Sequence, residues 1–357
     1  MTELERIDSN MKTEHTLAPE KAAGFDFYDV EEAPFSLHGV FREGECLVRL
    51  PKAVAASVSQ GVESLYNYTT GGRVRFVTDS REIAIVMKLP SKLPDSRNAL
   101  TAITGLDLYA DDGGFERYFG TFNPPLNYVG GFEGVFRPFP SDKLRSVTIN
   151  LPRANTVYKM YVGIEKGSQL LAAEPFREPP VVYYGSSITQ GGCSSRPGTA
   201  YYSIVHRHIN YDYINLGFSG NARGEDEIID YISALDMSMF VFDYDHNAPN
   251  VEHLRNTHYK GYKKIRDAHP NIPILLLSRP KYYLDGNDRA RLEVIRETYN
   301  RALAENDSRV YLIEGPDMID EEFREESLGD HCHPTDCGFL SMARHIIPVM
   351  KEALALK

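Results

Sequence analysis

The feature that most constrains the fold is a change of rhythm at Ala172–Pro180 (AAEPFREPP), where three prolines interrupt the chain. Proline fixes its own φ and drives the preceding residue toward extended backbone, so this stretch reads as a linker. Before it, from Phe25 to Ile164, short runs rich in Val, Ile, Tyr and Phe recur: Arg73–Thr78, Glu82–Leu89, Gly105–Ala110, Phe115–Phe122, Ser146–Leu151 and Val157–Ile164. Turn residues such as Asp111-Asp112-Gly113-Gly114 separate them. Period-2 alternation without intervening helical spacing predicts an antiparallel β-sandwich or jelly roll over residues 25–171.

Beyond the linker, over residues 181–357, strand and helix alternate. Strands are expected at Val181–Tyr184, Tyr213–Leu216, Met239–Asp243, Ile272–Ser278 and Val310–Glu314. Helices are expected at Ala200–Ile209, Asp226–Leu235, Val251–Ala268, Arg289–Ala304 and Leu340–Leu354. That order predicts an α/β domain with a parallel sheet covered by helices on both faces. Residues 1–24 are polar and lack the apolar core of a secretory signal, so they read as a disordered lead-in and the protein as cytoplasmic. The four cysteines (Cys46, Cys193, Cys332, Cys337) show no disulfide or metal-ribbon spacing, which suits free thiols in that compartment. A net charge of -11 and the lack of a basic stripe exclude nucleic acid and anionic membrane as main partners. No apolar run is long enough to span a bilayer.

In open parallel sheets ligands bind at the carboxyl ends of the strands. The segments following the predicted strands are polar or glycine-rich: Gly185-Ser186-Ser187-Ile188-Thr189, Gly217-Phe218-Ser219-Gly220-Asn221, Asp245-His246-Asn247 and Asp330-His331-Cys332-His333-Pro334. Four such blocks in this order resemble the SGNH (GDSL-like) hydrolases, and the β-rich half resembles the N-terminal jelly-roll domain of some bacterial carbohydrate esterases of that family. The resemblance implies a flavodoxin-like three-layer catalytic domain and a serine esterase. It places the nucleophile at Ser187, with Ser186 where the family usually has Asp. It places the base at His333 with Asp330, and the oxyanion donors at Ser187, Gly220 and Asn247. The asparagine block departs most from the family pattern, and Asn250 stays open as its alternative.

Residue types explain why such a set is needed. A serine hydroxyl attacks well only when a neighbouring base accepts its proton. A carboxylate on the other ring nitrogen fixes the tautomer and stabilises the imidazolium. The expected substrate is an O-acylated saccharide with a small, acetyl-like acyl group, and neither cofactor nor metal is expected. Alternatives are a lysophospholipase- or thioesterase-like acyl hydrolase, a non-catalytic carbohydrate-binding protein, and a metal-dependent phosphoesterase built on Asp243, Asp245, His246, His331 and His333. The G-x-S-x-G elbow of α/β-hydrolases is absent. Against these stand plainer readings: Ser187 as a turn serine, Gly220 as a turn glycine, Cys193 as a packing residue, His206 and His208 as ordinary helix residues. The β-rich half is open to three roles: binding glycan, walling the active site, or self-association. The chain has no tryptophan, which counts against a flat polysaccharide-stacking platform.

Overall fold

The computed structural model describes residues 17–92, 95–111, 113–136 and 138–356. The lead-in expected over residues 1–24 ends sooner than that. Residues 1–16 lie outside the described residues, but Pro19–Ala22 form a turn of helix (α1), and Leu17 packs with Phe25 and Ala84. An apolar contact at Leu17 is what the polar neighbours concealed.

The N-terminal half is built of two antiparallel sheets. Its strands in chain order are β1 (Phe25–Asp29), β2 (Ser36–His38), β3 (Phe41–Glu43), β4 (Cys46–Val48), β5 (Arg73–Thr78), β6 (Ile83–Lys88), β7 (Leu106–Asp111), β8 (Arg117–Phe122), β9 (Gly131–Val135), β10 (Arg145–Asn150), β11 (Lys159–Glu165) and β12 (Leu170–Leu171). One sheet runs β1-β11-β6-β9, the other β12-β5-β10-β7-β8 with β2 beside β5, and β3 and β4 form a separate hairpin. The alternation read from the sequence decides which residues meet: Val74 and Phe76 of β5, Ile83 and Ile85 of β6, and Val147 and Ile149 of β10 all enter one core. Short helices interrupt this half at α2 (Lys52–Val58), α3 (Gln60–Glu63) and α4 (Leu100–Ile103).

The C-terminal half carries β13 (Val181–Gly185), β14 (Tyr213–Gly217), β15 (Met239–Asp243), β16 (Ile274–Leu277) and β17 (Val310–Ile313), all parallel, in the order β14-β13-β15-β16-β17. This is the flavodoxin-like arrangement, whose strand order reverses beside β13. Neighbouring residues on each strand serve opposite faces. Val181, Tyr183, Val241 and Leu275 meet α5 (Tyr201–Ile209) on one side; Val182, Tyr184, Phe242 and Leu276 meet α6 (Asp226–Ser233), α7 (Val251–Ala268) and α8 (Gly286–Ala304) on the other. The terminal helix α9 (Asp336–Ala353) joins α5. It starts earlier than its hydrophobic period suggested, because the Thr335 hydroxyl accepts a hydrogen bond from Gly338 N–H and caps a polar first turn. Among the described residues no helix is long and apolar enough to cross a membrane.

The halves interlock. Leu50, Ala55 and Val62 belong to the same apolar cluster as Leu216, Ile228 and Phe242, so the segment from β4 to β5 completes one face of the parallel sheet. Arg49, only 2% exposed, donates to the carbonyls of Gly217 at 2.5 Å and Asn215 at 3.2 Å. Its guanidinium also lies over the Phe218 ring.

Candidate active site

Two chain crossings at the carboxyl edge of the sheet set the geometry. After Gly185 the chain turns sharply: Ser186 N–H donates to the Asp243 carbonyl at 3.0 Å, and Gln190 N–H returns to the Ser186 carbonyl at 2.9 Å. Gly185 must be glycine, since a Cβ there would sit 2.1 Å from Thr189 Oγ1 and 2.2 Å from the Asp243 carbonyl. Ser186 is fully buried, and its Oγ accepts from Ile188 N–H at 3.1 Å. The residue standing in for the usual Asp therefore pins the turn, and Ser187 is presented at its crest.

Ser187 Oγ lies 2.8 Å from His333 Nε2, and His333 Nδ1 lies 2.9 Å from Asp330 Oδ2. The loop that carries both partners holds itself: Asp330 Oδ1 accepts from the N–H groups of His333 at 2.6 Å and Cys332 at 2.8 Å. Partial burial pushes the Asp330 carboxyl up. Hydrogen bonds from the His333 backbone, the His333 ring and the Cys332 backbone outweigh it and hold the carboxyl well below the usual range. These three residues form a continuous hydroxyl–imidazole–carboxylate relay, able to move a proton from oxygen to nitrogen.

Gly220 and Asn247 sit on neighbouring loops at the same edge, after β14 and β15. Gly220 has φ +71 and open space around it. Neither its N–H nor that of Ser187 reaches an acceptor among the described residues. Asn247 is half-buried, and its Oδ1 has no partner among the described residues. Asn250 is exposed and caps α7, its Oδ1 accepting from His253 N–H at 2.8 Å, so its side chain is committed to the helix.

The residues of the metal alternative divide into two groups. Asp243, Asp245 and His246 bring ligand atoms within 4.8 Å of one another, beneath the Ser187 turn, but His333 belongs to Ser187 and Asp330, and the His331 carbonyl accepts from Arg279 at 2.9 Å. Each acid also has a local task. Asp245 accepts from His246 N–H and its ring at 2.8 Å each, and from Arg279 N–H at 3.1 Å; despite complete burial its carboxyl is held low by these bonds. Asp243 Oδ2 accepts from Thr189 Oγ1 at 2.7 Å, and burial pushes its carboxyl up to about 7. His206 is buried between the Tyr183 hydroxyl and the Tyr211 carbonyl, as a helix residue would be.

Several contributors were invisible in the sequence because they come from the other half or from distant helices. Arg97 reaches Asp330 at 3.1 Å. Asn98 Oδ1 accepts from Cys193 N–H at 3.1 Å and also from the buried Arg153, so it ties the loop after Ser187 to the β domain. Buried Arg291 of α8 donates to the carbonyls of Asp245 and Ala248, gripping the loop that holds Asn247. Of the three roles left open for the β domain, these contacts describe a wall and brace for the site.

Residues 178–351 match the family model described as GDSL-like lipase/acylhydrolase, and residues 25–170 match the N-terminal region of SGNH-hydrolase-type esterases. No curated protein matches the sequence. Among solved structures, a Bacteroides ovatus protein described as a GDSL-like lipase is 25% identical, with TM-score 0.83, covering 93% of this chain and 99% of its own. A family two carbohydrate esterase from Cellvibrio japonicus is 14% identical with TM-score 0.61, covering 93% and 98%. An acetyl xylan esterase from the rumen bacterium Butyrivibrio proteoclasticus is 13% identical with TM-score 0.60, covering 92% and 99%. The last two share the fold across both halves.

Proposed function

The chain belongs to the GDSL-like acylhydrolase family of SGNH hydrolases and is an esterase; on that footing we propose that it removes a small acyl group, acetyl above all, from a saccharide through Ser187, His333 and Asp330. The observation that carries this reading is the unbroken relay from Ser187 Oγ to Asp330. In the first step Ser187 Oγ attacks the ester carbonyl carbon while His333 Nε2 takes its proton. The carbonyl oxygen becomes an oxyanion, which the N–H groups of Ser187 and Gly220 and the Asn247 amide receive. Collapse breaks the bond to the alcohol oxygen, and that oxygen takes the proton back from His333. Water then repeats the sequence on the acyl-enzyme, releasing the acid and Ser187. Asp330 holds its charge throughout and steadies the imidazolium.

The surroundings of Ser187 support a short acyl group and a polar alcohol. Segments 97–98, 191–195, 219–221, 246–247 and 329–333 carry only polar, charged or small side chains. They offer no apolar channel for a long chain. Shared two-domain architecture with carbohydrate esterases supports the saccharide.

A fluorophosphonate probe with a panel of acyl esters tests the reading. Stoichiometric labelling of wild type, none of Ser187→Ala, and preference for acetylated sugars over long-chain esters are expected. Activity that survives Ser187→Ala and disappears with a chelator would instead establish the metal-dependent alternative. Equal turnover of acetyl and long-chain esters would refute the substrate class.

A further inference from the structure

At the opposite edge of the parallel sheet, the seam between the two halves holds a half-open cavity of about 110 Å³. Tyr213 lines it and opens β14, paired with Val181 at the start of β13, whereas the Ser187 turn follows the far end of β13 at Gly185. Four residues at about 3.3 Å each separate those levels, so this cavity is not part of the catalytic centre.

Three arginines are among the residues that line it: Arg73 and Arg75 from β5 and Arg207 from α5. Arg73 is 5% exposed and Arg75 9%. Nε and Nη1 of Arg73, Nε of Arg75 and Nη1 of Arg207 are shielded from solvent and donate to no acceptor among the described residues. A buried cationic donor without an acceptor is costly, more so than a neutral one. Carboxylates are present, and each accepts hydrogen bonds elsewhere. Asp212 serves Arg73 at 2.6 Å and His38 at 2.9 Å; Glu116 accepts from Thr148; Asp111 Oδ1 accepts from the backbone N–H groups of residues 113–115. Arg75 and Arg207 have no ion-pair partner among the described residues.

Aromatic rings hold the three guanidiniums in place. Arg73 lies 3.5 Å from the Tyr213 centroid, Arg75 4.3 Å from that of Phe176, and Arg207 4.1 Å from that of Tyr109. Stacking fixes the guanidinium planes before any ligand arrives. Burial pulls the Arg75 guanidinium down from its ordinary value and neighbouring Arg73 adds to this, while Glu116 and Asp212 act against it.

We propose that this interdomain cavity binds a phosphate group, free or carried on a compact molecule, at a site separate from the esterase centre. Planar N–H forks match tetrahedral phosphate oxygens two at a time, and several forks around one cavity suit a doubly charged group. The aromatic walls admit a compact organic part carrying the phosphate.

The test uses the full chain, by calorimetric titration and thermal unfolding in sodium phosphate against sodium chloride at equal ionic strength. Saturable phosphate binding with a rise in Tm is expected, with affinity reduced at least about tenfold in Arg75→Gln and in Arg207→Gln and kept in Ser187→Ala. Arg73 also anchors Asp212, so Arg73→Gln would mix binding with folding and serves only if it unfolds like wild type. Glucose 6-phosphate binding more tightly than inorganic phosphate would identify a phosphorylated saccharide as the ligand; equal affinities would identify the free ion. An unchanged Tm in phosphate, undiminished binding in Arg75→Gln and Arg207→Gln, or acetate binding as tightly as phosphate would overturn the proposal.

Discussion

Asp330 and Asp243 are both carboxyls near Ser187, yet their environments drive them in opposite directions. Asp330 is kept ionised by three hydrogen bonds, so its role is electrostatic and orienting. Asp330→Asn should keep the shape but lose the charge and the tautomer control, lowering kcat on an acetyl ester by about 10⁴. Asn247→Ala should cost about 10²–10³ in kcat with KM little changed, since its donor is called upon only in the transition state. Asp243 gives a pH signature instead. Its folded value of about 7 lies above the unfolded value of about 4, so between those pH values the folded chain binds more protons than the unfolded one. Stability contributed by the protonated form at pH 4 is therefore lost as pH rises to 7. Asp243→Asn should flatten that decline by up to about 3 kcal/mol, read as the difference between urea unfolding curves at pH 4.5 and 7.5. Of these residues the sequence made Ser187, Asp330 and His333 legible because each lies in a short local motif. Asp243 ends a strand, and nothing local tells that Thr189, over fifty positions upstream, sits against it.

Elements were legible where burial is complete. Strands β13, β15 and β16 are buried at every position, so they read as continuous apolar runs that cannot be mistaken for amphipathic helices. Helix starts were not: α8 and α9 open with GNDR and DCGF, capped by Asp285 and Thr335, and their apolar period begins a turn later. The segment of α2 and α3 was missed for a different reason. Its apolar face is paired with residues more than a hundred positions downstream, and no window of sequence contains both partners. Such long-range bracing carries its own prediction at the Asn247 loop. Arg291→Ala strands two buried carbonyls there, so it should destabilise the fold by about 1–3 kcal/mol. The same change should lower kcat at least about tenfold by loosening Asn247. Unfolding midpoints and kcat measured on one preparation check both.

At the scale of the whole molecule, the two halves share a buried cluster, the Arg49 bonds and the Arg73–Asp212 pair, so they should not unfold independently. Calorimetry should show one transition whose calorimetric and van't Hoff enthalpies agree. Two resolved transitions would mean that the shared cluster contributes little to cooperativity. The α/β layout and the β-rich half were both foreseeable from rhythm alone, but the seam was not, because it depends on pairs drawn from opposite sides of the proline linker.

Arg49 and Asn215 are 166 residues apart in the chain. During synthesis, at about 5–20 residues per second, Arg49 and the apolar segment behind it would leave the ribosome roughly 8–30 s before the strand that receives them. For that interval the nascent β domain would carry an uncovered apolar face and a guanidinium with no carbonyl to grip. Translation speed through residues 50–217 therefore sets how long the growing chain is exposed to aggregation.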